Sequence, residues 1–107
     1  MKPEFLLIAS RDPIAGPDPA SELALRLAAA GRQVGVFLVQ NGVVPARRGA
    51  RWGAREALVR AGVTIEADAF SLRERGIGPD GLADGVRATD LDPVIDALVS
   101  GARVLFH

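Results

Sequence analysis

Short apolar runs alternating with stretches of helical periodicity constrain this chain more than any other feature of its sequence. Glu4–Ala9, Val34–Val39 and Val63–Ala67 are nearly continuous apolar segments of the kind found in strands buried on both faces. Val86–Thr89 is a weaker fourth run and Arg103–His107 a fifth. Helical patterns lie between them, and that alternation marks a parallel sheet covered by helices. With right-handed crossovers, the expected fold is a three-layer α/β/α sandwich with a five-stranded, mainly parallel sheet. At 107 residues the chain is one domain, 1–107. With 49% hydrophobic residues it can bury a core unaided by disulfides or metals.

The helix punctuation agrees with this frame. Asp18 can cap a helix that opens with Pro19, places Ala20, Leu23, Ala24 and Leu27 on one face and stops at Gly31. A second helix is expected from about Ala50 to Ala61, stopped by Gly62. Ser71-Leu72-Arg73-Glu74 reads as a capping box opening a short third helix. Asp92 and Pro93 start a last helix carrying Val94, Ile95, Leu98 and Val99, closed by Gly101.

Composition removes several kinds of function. There is no cysteine, hence no disulfide, thiolate metal site or thiol nucleophile. Thirteen basic and thirteen acidic residues cancel, which argues against a nucleic-acid binder. The balance is uneven along the chain, nine basic against five acidic through residue 60 and four against eight beyond it. That asymmetry reads as solvated charge or as attraction between unlike ends of neighbouring subunits. The apolar run at Phe5–Ala9 is too short for a signal peptide or a membrane span, so a cytoplasmic protein is expected.

In open parallel sheets, ligands gather beyond the carboxyl ends of the strands. That edge should carry Ser10, Arg11 and Asp12 after the first strand, Gln40 and Asn41 after the second, and Asp68 and Ser71 after the third. Thr89 and Asp90 follow the fourth, and His107 ends the fifth. The first strand–helix loop, RDPIAGPDP, has three prolines and one glycine, the reverse of a phosphate-cradling turn, so no nucleotide, flavin or other cofactor is expected. A Ser10–His107–Asp68 triad can be written down, but no G-x-S-x-G elbow supports it. One histidine among scattered carboxylates gives no metal-ligand spacing.

The segment ADAFSLRERGI, residues 67–77, and the second strand with its exit, VGVFLVQNGV, residues 34–43, carry a resemblance. In DsrE-like proteins the third strand runs into a cysteine and then a short helix ending in Arg-Gly-Ile or a similar triplet. Here Arg75-Gly76-Ile77 is that triplet, and Gly42-Val43 looks like the family's turn after the second strand. In element order and length, nearly the whole chain resembles the DsrE/DsrF/DsrH sulfur-relay family, which includes TusBCD-like and YchN-like proteins. Counting back from the triplet, Asp68 stands where catalytic members carry cysteine. A thiol just ahead of a helix amino terminus is held as thiolate by the helix dipole and can carry a sulfane sulfur. A carboxylate keeps the charge and cannot hold a persulfide.

The resemblance therefore implies a non-catalytic member, not expected to be an enzyme, that acts by assembly and binding in sulfur-relay metabolism. Its expected partners are copies of itself, as a trimer or hexamer, or a sulfur-transfer homolog; neither nucleic acid nor membrane is expected. Trp52 and Val59 are the expected interface residues, although Trp52 could instead precede the helix and fold back over the core. The competing reading is a small-molecule-binding domain or enzyme using a crevice around Asp68, with Ser10, Arg11, Asn41, Ser71 and Arg75. In that crevice Asp68 is either a base or anchor, or simply a carboxylate accepting N–H bonds at the next helix. Ser71 reads as the cap of that helix, and Arg75 as an anion ligand or a partner of its own helix's last carbonyls.

Overall fold

The computed structural model, which describes residues 2–107, turns each apolar run into a strand: β1 (Phe5–Ala9), β2 (Val34–Leu38), β3 (Thr64–Asp68), β4 (Val86–Thr89) and β5 (Arg103–Phe106). The helices are α1 (Pro19–Ala29), α2 (Ala54–Arg60), α3 (Ala69–Glu74) and α4 (Asp92–Ser100). The sheet order is β4-β3-β2-β1-β5, and every neighbouring pair is parallel. The mainly parallel sheet expected from the sequence is thus wholly parallel.

This order distributes the helices. From β1 to β4 each step moves one place in the same direction, and right-handed crossovers then put α1, α2 and α3 on one face. The return from β4 to β5 runs the other way, past β1, and carries α4 over the opposite face. Strand alternation supplies each face with its own core. Leu7, Val36, Leu38 and Ile65 pack under the first three helices through Ala24, Leu58 and Leu72. Leu6, Ile8 and Phe37 pack with Ala97 and Val94 of α4, with Val39, Ala102 and Val104 alongside. One face is roofed by three helices and the other by one.

Local chemistry explains where the elements begin. Asp18 caps α1 by accepting the Ser21 N–H at 3.2 Å, and α4 ends at Gly101, whose φ of +83° suits a residue without Cβ. Three details differ from the sequence reading. The second helix starts at Ala54 and not near Ala50, because a 3-10 segment (Gln40–Ala46) containing Pro45 and then a turn at Gly49 (φ +87°) consume the preceding chain. The third helix starts at Ala69 with Asp68 as its cap, so Ser71 lies inside the first turn and is not the capping residue. Leu23 is 39% exposed, because the core face of α1 centres on Ser21 and Ala24.

The altered start of α2 also relocates Trp52. It precedes the helix and is 8% exposed, packed within the core under α1 and α2. An outward-facing interface anchor at Trp52 is therefore corrected to a core residue. Val59 does lie on the surface of α2, 42% exposed, against Gly85.

Candidate functional site

The carboxyl edge of the sheet holds two separate constellations. The first joins the exits of β2 and β3. Asp68 Oδ2 accepts the Ser71 backbone N–H at 3.0 Å and the Ser71 hydroxyl at 2.7 Å. The Ser71 hydroxyl oxygen in turn accepts the Gln40 N–H at 2.9 Å. Gln40 has φ of +52°, a left-handed conformation uncommon outside glycine, so this bond pins a strained turn. Two residues on, Gly42 packs so tightly on β1 that a Cβ there would overlap the Ala9 carbonyl oxygen. Asn41 Oδ1 accepts from the Arg75 guanidinium at 3.0 and 3.3 Å, and Arg75 also donates to the Ser71 carbonyl at 3.2 Å.

Asn41, Asp68, Ser71 and Arg75 are thus brought together as one hydrogen-bonded network. Asp68 and Ser71 are buried within it. Arg75 serves both its own helix, through the Ser71 carbonyl, and the neighbouring loop, through Asn41. The carboxylate accepts N–H and O–H at a helix start, the capping chemistry expected of any Asp in this slot.

Ser10 and Arg11 belong elsewhere. The Ser10 hydroxyl donates 3.0 Å to the His107 carbonyl, tying the ends of β1 and β5 together. The Ser10–His107–Asp68 triad does not form: Ser10 meets the backbone of His107, and Asp68 is engaged two strands away.

The strand connections change faces between β3 and β4, since β3 leads into α3 and β4 into α4. Such a switch point is where α/β sheets open a crevice. The hollow there, about 510 Å³, is lined by Asp68, Phe70, Arg73, Asp90 and Leu91, and it is broad and open to solvent. Ser71 engages only Oδ2 of the Asp68 carboxylate beside this hollow.

The second constellation was not legible in the sequence. A cavity of about 360 Å³ lies beyond the ends of β1 and β2, between the proline-rich loop, the start of α1 and Trp52. The Trp52 indole N–H donates to Asp18 Oδ2 at 2.9 Å, while Asp18 Oδ1 accepts the Ser21 N–H. The helix cap thereby also holds the aromatic wall. Arg11 and Asp12 line the same cavity. The proline content of the loop was the available signal, since a stiff strand exit holds a cavity open.

Among the described residues, no group of three or more His, Asp or Glu side chains is placed to hold a metal ion, and no helix is long and apolar enough to cross a membrane.

No family model matches the sequence, and no curated protein matches it. Solved structures share its fold along essentially the whole chain. The YchN protein from E. coli superposes with a TM-score of 0.85 at 22% identity, covering 100% of both chains. A protein of unknown function from Methanobacterium thermoautotrophicum, MTH1491, gives 0.76 at 21% identity over 96% of this chain and 97% of its own. A conserved protein of unknown function from Bacteroides thetaiotaomicron, BT1422, gives 0.71 at 17% identity over 97% and 95%. At such identities the likeness establishes the fold. The resemblance to DsrE/DsrF-like proteins, of which YchN is one, holds at that level, in a chain without cysteine.

Proposed function

We propose that this chain is a non-catalytic DsrE/DsrF-like subunit that works by assembling with further copies of itself, in sulfur-relay metabolism where a partner carries the sulfur. The observation that carries the assembly is the apolar surface left around the singly covered face. On α4, Leu98 is 62% and Val99 83% exposed, with Ile95 and, just before the helix, Leu91 also exposed. Phe106, on the adjoining edge strand, is 70% exposed. Scattered apolar side chains are ordinary on a monomer, but a run on one helix and its neighbouring strand marks a surface meant to be covered. The non-catalytic part rests on Asp68, whose carboxylate replaces a transferable sulfur with a structural acceptor.

Light scattering behind size exclusion tests the assembly. The expected mass is that of a trimer or hexamer, and Leu98→Asp should reduce it to a monomer with unchanged circular dichroism, since a central anchor contributes about 2 kcal/mol or more. A wild-type monomer across the accessible concentration range would overturn the assembly. A second measurement addresses the chemistry: incubated alone with a labelled persulfide donor, the chain should acquire no sulfur. Stable labelling would refute the non-catalytic reading.

A further inference from the structure

The cavity walled by Trp52 has the makings of a ligand site distinct from the Asp68 network and independent of assembly. Its volume of about 360 Å³ falls at the small end of the range of small-molecule pockets. Its floor is apolar, formed by Ala9, Val36, Leu38 and Trp52. It is also preformed: the indole is held by Asp18, and Asp18 is held by the first turn of α1, so little order remains to be imposed on binding.

The polar groups around this floor differ in how they are occupied. Asp18 uses both carboxylate oxygens, on Trp52 and Ser21. Asp12 accepts the Ile14 N–H at 3.0 Å as the cap of the 3-10 turn Pro13–Ala15. The donors are less committed. Ser21 is 3% exposed and lines the cavity, yet its hydroxyl has no hydrogen-bond partner among the described residues. Among the described residues no sealed side-chain oxygen or nitrogen lacks a partner, so this hydroxyl is one that the cavity itself reaches and leaves free to donate. Arg11 lines the cavity and forms no ion pair among the described residues.

We propose that this cavity binds a small monocarboxylate with an apolar body, its carboxylate taken by Arg11 and the Ser21 hydroxyl and its hydrocarbon portion laid against Trp52 and Leu38. A guanidinium and a hydroxyl are both donors, and a carboxylate can accept from both. Among the described residues Arg11 is the one cation in a lining that also carries the capping carboxylates Asp12 and Asp18, so a single negative charge is the most the cavity can take, and the apolar floor disfavours a compact inorganic anion.

Trp52 is the only tryptophan and there is no tyrosine, so intrinsic fluorescence reports directly on the cavity. The probe is 4-methylpentanoate, compared with its alcohol, 4-methylpentan-1-ol, its amine, 4-methylpentylamine, and methyl phosphate. The acid should change Trp52 emission saturably, and Arg11→Gln and Ser21→Ala should each weaken it about tenfold, in line with loss of one charge-assisted hydrogen bond. Amide chemical shifts should move at the ends of β1 and β2 and the start of α1 in the same titration. An absence of saturation with shifts elsewhere or nowhere would overturn the site. An alcohol or amine binding as tightly as the acid, or unchanged affinity in both variants, would overturn the carboxylate assignment, as would methyl phosphate binding more tightly.

Discussion

Replacing Asp68 by alanine tests whether that residue is chiefly a structural acceptor. The substitution removes the cap of α3 and the partner of the Ser71 hydroxyl, both served by the same oxygen at 3.0 and 2.7 Å. Loss of a cap costs about 1 kcal/mol. A buried hydrogen bond to an ionised acceptor contributes about 1.5–3 kcal/mol. Because one oxygen makes both contacts the figures overlap, and a total of about 2–3 kcal/mol is expected. For a domain of this size that lowers the melting temperature by about 9–13 °C. Asparagine keeps an acceptor oxygen and caps nearly as well, so Asp68→Asn should cost less than about 1 kcal/mol. Ser71→Ala orphans the Gln40 N–H at a left-handed residue and should cost about 1–3 kcal/mol. The double variant, Asp68→Ala with Ser71→Ala, should fall short of the sum by about 1 kcal/mol, since the two residues act through one another. Urea unfolding followed by circular dichroism measures all four. Should Asp68→Ala lie within about 0.5 kcal/mol of the parent, the range of an ordinary surface substitution, the structural account of this carboxylate would fail.

Two further outcomes follow from other parts of the fold. Gly42→Ala drives a Cβ into the Ala9 carbonyl, backbone against backbone, so a loss of about 3 kcal/mol or more is expected from urea unfolding; a near-neutral result would show that the β1–β2 exit can shift. The Glu4 carboxyl lies below its usual value because it accepts from the Arg32 guanidinium and the Gln33 N–H. A depressed folded-state pKa means that its contribution is present above about pH 4.5, the unfolded carboxylate value, and disappears as pH falls through the lower folded value. The difference in stability between the parent and Glu4→Gln should accordingly be visible at pH 7 and vanish on strong acidification, read from melting temperatures across pH.

The strands were legible because burial on both faces writes itself as continuous apolar sequence, as in Val34–Leu38, where every residue is buried. The parallel order of helices and strands followed from the same alternation. The starts of α2 and α3 were harder to place, for different reasons. Besides the 3-10 segment and the Gly49 turn before it, the long-range packing of Trp52 against Asp18 draws Ala50–Gly53 away from α2. At α3, Asp68 and Ser71 are both good capping residues spaced three apart, and the S-x-x-E pattern pointed to the wrong one. Glu74, the would-be partner in that box, instead lies 3.9 Å from Arg75. The Asn41–Arg75 pairing and the Trp52 cavity depend on residues 34 apart meeting through strand order, which one sequence does not reveal. Grouping Arg11 with Asp68 failed for the same reason: both follow strands at the carboxyl edge, but β2 stands between those strands.

The place of β5 bears on how the chain reaches its native state. The first four strands add one beside another in the order they occur, so each new pairing closes a loop of modest length. The ladder between β1 and β5 must instead bring Ser10 to His107, the longest closure in the sheet. The entropy lost in loop closure rises with loop length, so docking of β5 and of the hydrophobic seam beneath α4 belongs to the last stage of folding. Until then, the outer edge of β1 offers unpaired N–H and C=O groups to any passing strand, which makes the interval before that closure the period of greatest danger from misassociation.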